Sequence, residues 1–187
     1  MTTLAAVQGD GWCVIGAETR ASDEDGHPIQ VATGKIFKNG PAVIAGAGSV
    51  RGCNILQFGW KAPKRTIAST DIYITKSFIP AMRKAFLDAG YDMKSDTTAA
   101  ENDNDLIVAI GGVIYSVAGD YSWERCKGNL YVAGSGGKLA LGALAYAGAD
   151  KAQTPEQADK FIRKAIEAAI RYDVFSGGAV DTVTQKA

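Results

Sequence analysis

A strand with no polar face constrains this chain more than any other feature. Trp12 to Ala17 reads Trp-Cys-Val-Ile-Gly-Ala, apolar at nearly every position. A strand with one wet face alternates, whereas a continuous apolar run implies cover on both sides. The run is the return arm of a hairpin. Thr3 to Val7 forms the outgoing arm, and Gly9-Asp10-Gly11 supplies the turn. Most chains leave their termini loose, but here the first residues run straight into strand-like sequence. If Met1 is trimmed, Thr2 becomes the N-terminus of a folded strand. It then carries a hydroxyl and a free α-amine in one residue.

The remaining elements follow in groups. Ile29 to Thr33 reads as a short strand, Asn39-Gly40 as a turn, and Ala42 to Ala47 as a buried strand ending in Gly46-Ala47-Gly48-Ser49. A helix from about Ser49 to Trp60 would present Val50, Cys53, Leu56 and Trp60 at helical spacing. A second, capped near Ser69, would bury Ile72, Phe78, Ile79, Met82, Phe86 and Leu87 and stop at Gly90. Pro80 within it predicts a kink or a late start. The stretch from Tyr91 to Asn104 is polar and irregular. Leu106 to Ile110, Val113 to Val117 and Leu130 to Ala133 read as strands. Gly134-Ser135-Gly136-Gly137 opens an alanine-rich helix. Thr154-Pro155-Glu156-Gln157 caps a last helix running to about Tyr172, and Ala179 to Thr184 closes the chain.

Grouped strands argue against a parallel, doubly wound sheet. An α+β arrangement fits the order: two antiparallel sheets packed together, with a helix pair on each outer face. One domain spanning residues 1–187 is expected.

Charge and cysteine content exclude several functions. Lysine plus arginine equal aspartate plus glutamate at 20 each, so nothing electrostatic favours nucleic acid or an anionic membrane. No apolar run approaches the roughly 20 residues of a membrane span, and the start lacks the pattern of a secretory signal. Cys13, Cys53 and Cys126 are far apart and without metal-type spacing. A cytoplasmic protein with reduced thiols is expected, with no metal and no cofactor.

The chemistry narrows in the same way. His27 is the only histidine and sits in a polar loop beside Gly26 and Pro28, a poor setting for a serine or cysteine triad. The Gly134–Gly137 segment lacks the lysine and hydroxyl of a phosphate-binding loop. What remains is the N-terminal threonine. Its α-amine, with an ordinary pKa of about 7.7–8.0, can serve as base to its own hydroxyl. A nearby lysine would lower the pKa of both groups. Lys35, held by Glu18, is the candidate pair.

These residues resemble the proteasome-type β-subunits, the N-terminal-nucleophile (Ntn) hydrolases that include the 20S β-subunit, the peptidase partner of the HslU ATPase and the Anbu proteins. The resemblance rests on Thr2-Thr3-Leu4-Ala5-Ala6-Val7, Gly16-Ala17-Glu18-Thr19-Arg20-Ala21-Ser22, Lys35-Ile36-Phe37, Ala45-Gly46-Ala47-Gly48-Ser49, Gly134-Ser135-Gly136 and Asp173-Val174-Phe175-Ser176-Gly177-Gly178. It implies a four-layer αββα sandwich. It implies Thr2 as nucleophile, Lys35 as the pKa-lowering cation, Glu18 as its anchor and the Gly48 amide as oxyanion donor. Ser135, Asp173 and Ser176 would hold the threonine amine and a water. Ala21, Ser22, Gly46 and Val50 would line the substrate site, with room for a medium or large apolar side chain. The family assembles into rings of six or seven subunits, stacked in pairs, and works with an unfolding ATPase on polypeptide substrates. Position 18 departs from the pattern, since the family residue is normally aspartate. A retained Met1 would cap the amine and leave a silent structural subunit. An amidase acting on small amides is the nearest catalytic alternative.

Overall fold

The computed structural model describes residues 2–22, 27–91 and 102–187. Most of the expected polar loop from Asp23 to Pro28, and nearly all of the irregular stretch after Tyr91, lies outside the described residues.

The hairpin forms as the sequence implies. Strands β1 (Leu4–Gly9) and β2 (Trp12–Glu18) pair antiparallel with Leu4 opposite Ala17 and Gly9 opposite Trp12. Gly11 takes the left-handed φ of 71° that the tight turn requires. Every residue of β2 is buried. A ribbon of β3 (Arg20–Ser22) and β4 (Pro28–Gln30) follows, shorter than the Ile29–Thr33 strand expected. Then come β5 (Ile36–Asn39) and β6 (Ala42–Gly48). The later strands are β7 (Asn104–Ile110), β8 (Val113–Val117), β9 (Trp123–Glu124), β10 (Leu130–Ala133) and β11 (Val180–Lys186). The first sheet runs β10-β1-β2-β11 and the second β5-β6-β7-β8-β9, antiparallel throughout.

Three apolar clusters separate four layers. Leu4, Ala6, Ile15, Val43, Ala45 and Ile107 interdigitate between the two sheets. On the far side of the first sheet, Ala5, Val7 and Val14 pack against Leu144, Ile162 and Ile166 of α4 (Gly137–Tyr146) and α5 (Pro155–Tyr172). On the far side of the second, Ile44, Val108 and Tyr115 meet Leu56, Tyr73, Phe78 and Phe86. The last four come from the N-terminal helix pair. The fold is thus the αββα sandwich. The double cover of β2 follows from its place in the first sheet, with a second sheet on one face and helices on the other.

That N-terminal helix pair departs from the simple periodicity. The helix α1 (Val50–Asn54) continues as a wide π-helical turn over Ile55–Gly59. A similar turn, Ile74–Phe78, joins α2 (Thr70–Tyr73) to α3 (Ile79–Asp88). Pro80 cannot donate to the carbonyl four residues back, and the helix absorbs this by widening just before it. The buried stripe runs at four-residue spacing through Ile74, Phe78, Met82 and Phe86. Ile72 and Leu87, expected inside, are about half exposed, while Ile74 and Phe78 are fully buried. At the caps, Ser69 Oγ accepts from Ile72 N and Thr154 Oγ1 from Gln157 N, each at 3.3 Å.

Candidate active site

Strand pairing gathers the expected site residues at one end of the sandwich. Thr2 stands two residues ahead of β1 and Glu18 ends β2. Lys35 immediately precedes β5, and Gly48 ends β6. The hairpin register sets Thr3 beside Glu18, whose N–H donates to the Thr3 carbonyl at 3.3 Å. The Gly46 N–H donates to the Lys35 carbonyl at 3.3 Å, which fixes Lys35 against the end of β6.

Lys35 Nζ has three oxygen partners. It donates to Thr2 Oγ1 at 2.8 Å, to the Arg20 carbonyl at 2.6 Å and to Glu18 Oε1. Burial pulls the Lys35 pKa below the ordinary lysine value, and the contact with Glu18 opposes but does not cancel that pull. Glu18 itself is fully buried. Its second oxygen, Oε2, accepts from Arg20 N at 2.8 Å and Gly177 N at 3.1 Å. The additional methylene at position 18 therefore still spans the distance to the ammonium. It leaves one carboxylate oxygen for Lys35 and the other for two backbone amides.

The late motifs reach the same place from the other side. Ser135 Oγ donates to Asp173 Oδ2 at 2.7 Å, and Ser176 Oγ donates to the same oxygen at 2.5 Å. Desolvation pushes the Asp173 carboxyl upward, but the hydrogen bonds from Ser176, Ser135 and Phe175 N outweigh it and hold the pKa below the ordinary aspartate value. The Thr2 carbonyl accepts from Gly136 N at 3.4 Å, and Ser135 Oγ, its hydrogen given to Asp173, lies 3.5 Å from it. This contact requires the glycines of the motif. A Cβ at Gly134 would collide with the Thr2 carbonyl, and one at Gly136 with Thr3 Oγ1.

Ala21, Ser22, Gly46, Gly48 and Val50 all line one cleft of about 110 Å³ together with Thr2 and Lys35. Val50 is largely exposed, as a rim residue rather than a packed one. The wall also includes Val31, Thr33, Cys53, Asn54 and Gln57. A Cβ on Gly46 would stand only 2.6 Å from Cys53 Sγ, so the thiol forms the floor beneath that glycine. Burial raises the Cys53 pKa to about 11, which keeps it a packing group rather than a thiolate. His27 is exposed and does not line this cleft.

The fold and this geometry can be compared with known proteins. No family model matches the chain, and no curated protein sequence matches it. Solved structures do. Thiobacillus denitrificans BPH superposes with a TM-score of 0.79 at 25% identity, over 99% of this chain and 98% of that one. The same protein in complex with Epoxomicin gives 0.78 at 24%, with the same coverage. Eukaryotic HslV from Trypanosoma brucei gives 0.67 at 19% over the full length of both chains. The fold is that of the proteasome-type Ntn hydrolases.

Within this proteasome-type sandwich the residue next to Thr2 joins the polar cluster without having been foreseen. Thr3 is fully buried, and its Oγ1 lies 2.6 Å from Ser176 Oγ. Ser176 gives its single hydrogen to Asp173, so Thr3 is the donor in this pair. The two adjacent threonines thus divide the work by strand alternation: Thr2 turns to Lys35 and Thr3 to the Ser176–Asp173 cluster. The partner lies 173 positions away, beyond the reach of any local pattern. Among the described residues no cluster of histidine, cysteine or carboxylate could hold a metal ion, and no helix is long and apolar enough to cross a membrane.

Proposed function

We propose that this chain is an N-terminal threonine peptidase, cleaving peptide bonds of unfolded or short polypeptides once Met1 has been removed. The observation that carries the reading is the 2.8 Å contact between Lys35 Nζ and Thr2 Oγ1, both in the lining of the cleft. A largely buried lysine with a lowered pKa, anchored on a fully buried carboxylate, has little structural use there. Next to a hydroxyl nucleophile, its charge favours the alkoxide-like character that attack on a carbonyl needs.

In this reading the freed α-amine of Thr2 takes the hydroxyl proton, through a water. Thr2 Oγ1 attacks the scissile carbonyl and the peptide C–N bond breaks. The proton held by the amine passes to the departing amine of the substrate. Water then attacks the threonine ester and regenerates the hydroxyl. The Gly48 amide stabilises the tetrahedral oxyanion, a contribution of about 3 kcal/mol for a well-placed donor. Ser135, Asp173 and Ser176 orient the amine and the attacking water, and Thr3 fixes Ser176. No metal or cofactor enters this scheme.

The cleft supports an uncharged side chain beside the scissile bond. Lys35 is the one ionic group among its described lining residues with polar partners already in place. Gly46 leaves room, with Ala21, Val31 and Val50 as apolar walls. BPH was solved with Epoxomicin, and the same compound is a natural ligand to try here. By the same likeness we propose a single-domain subunit that self-associates into rings of six or seven, stacked in pairs, in the cytoplasm. An ATPase unfoldase would feed it, and neither nucleic acid nor membrane would be its partner.

Replacing Thr2 with alanine should abolish hydrolysis of fluorogenic peptide amides and leave the thermal unfolding profile intact. Unchanged cleavage would refute the mechanism. Light scattering that gives only a monomer would remove the ring.

A further inference from the structure

The oxyanion donor assigned above depends on the direction of one peptide plane, and the structure shows what holds it. In an extended strand the N–H groups of residues i and i+2 point to the same edge. Gly46 N–H points to the β5 edge, where it meets the Lys35 carbonyl. Gly48 N–H therefore faces that way too, just beyond the start of β5 at Ile36, where the cleft and Thr2 lie. The Ala47 carbonyl shares this planar peptide and points the opposite way, toward β7. There it meets the side chain of Asn104.

Asn104 is 2% exposed and stands opposite Gly48 in the β6–β7 register. Its Nδ2 donates to the Ser49 carbonyl at 2.9 Å and approaches the Ala47 carbonyl at 3.4 Å, gripping the chain on both sides of Gly48. Its Oδ1 accepts from Tyr91 OH at 2.7 Å. Tyr91 is held in turn by Phe86, edge to face at 5.0 Å, and by Arg51 over its ring at 5.8 Å. Asn104 N donates to Asn102 Oδ1 at 3.0 Å, and Asn102 Nδ2 to the Gly119 carbonyl at 2.8 Å. Two glycines make room for the arrangement. A Cβ at Gly52 would collide with Asn104 Oδ1, and one at Gly48, whose φ is 110°, would collide with the Asp103 carbonyl. Ser49 N adds a bond to that carbonyl at 3.1 Å.

We propose that Asn104, oriented by Tyr91, is a positioning residue that aims the Gly48 N–H at the oxyanion by holding the carbonyls of Ala47 and Ser49. The proposal rests on the reading of Thr2 and Gly48 as nucleophile and donor. A carboxamide is suited to the task, because its two N–H groups serve two carbonyls while its oxygen takes the phenol hydrogen. Aspartate at this position would set oxygen against oxygen.

The test compares the parent protein with Asn104→Ala, Asn104→Asp and Tyr91→Phe, using a fluorogenic peptide amide and a peptide aldehyde. The hemiacetal of the aldehyde on Thr2 places an oxygen where the oxyanion forms. Asn104→Ala should lower kcat by about tenfold or more with KM changed less than about threefold. Affinity for the aldehyde should fall in step with kcat, and affinity for the matching product peptide should hold. Asn104→Asp should do no better than alanine. Tyr91→Phe removes only the phenol hydrogen bond and should lower kcat by about threefold or more at unchanged KM. It decides the question if the Asn104 variants do not fold. An active parent with unchanged kcat and aldehyde affinity in the folded variants would overturn the proposal alone. A parent that neither hydrolyses the peptide nor binds the aldehyde would overturn the assignment of Gly48 along with it.

Discussion

Replacing Lys35 with methionine separates what the lysine does for the fold from what it does for Thr2. The side chain is 13% exposed and its partner Glu18 is fully buried. Truncating one member of a buried pair leaves an uncompensated charge, typically costing 3–5 kcal/mol. Here Glu18 Oε2 keeps the amides of Arg20 and Gly177, so the loss should lie near the lower end, about 3 kcal/mol. For a chain of this size, that corresponds to a fall in Tm of roughly 6–12 °C. Adding Glu18→Gln should return about 2 kcal/mol of it, because the charge disappears and a carboxamide oxygen still accepts from both amides. Its NH₂ group takes the place of Oε1, the oxygen that faced the ammonium. Peptide hydrolysis should be lost in the single variant and stay lost in the double. Thermal unfolding at neutral pH, read beside a fluorogenic peptide assay, gives both quantities. A single variant as stable as the parent, or a double variant no more stable than the single, would refute the electrostatic argument. Recovery of hydrolysis in the double variant would refute the catalytic one.

Two further outcomes follow from the same geometry. Gly46→Ala places a methyl 2.6 Å from Cys53 Sγ, so it should cost about 1–3 kcal/mol and reduce cleavage after large side chains more than after alanine. Adding Cys53→Ala should relieve the stability loss, as thermal unfolding would show. Asp173, whose pKa is held low in the fold, contributes stability that is complete above the ordinary aspartate value and lost as pH falls through its depressed folded value. The stability difference between parent and Asp173→Asn should therefore be constant from neutral pH down to about 5 and shrink below 4. A difference that grows on acidification would contradict the hydrogen-bond assignment.

How much of this was legible beforehand depended on the range of the interaction. The hairpin, the Asn39-Gly40 turn, the Thr154 cap and the glycine-rich junctions are local devices, and the structure carries them where the residues stand. The double cover of β2 was visible in its unbroken apolar run. Sheet order was not visible: nothing near Val180 announces that β11 lies beside β2, or near Leu130 that β10 lies beside β1. Ile72 and Leu87 were expected inside, yet both fall off the four-residue stripe of Ile74, Phe78, Met82 and Phe86 and so point outward. Thr3, Asn104 and Tyr91 were missed because their partners lie far away in sequence or in a different layer. Their only local trace is the set of glycines that make room for them, at Gly48, Gly52 and Gly136.

The account turns on Thr2 becoming the reactive N-terminus, and one mass measurement addresses it. Native protein would be incubated with a peptide β-lactone, which acylates a nucleophilic hydroxyl, and then weighed intact and as peptides. The account predicts a chain lacking Met1 and carrying one adduct, located on Thr2 and absent from Thr2→Ala. A chain that keeps Met1, or an adduct found elsewhere, would contradict it.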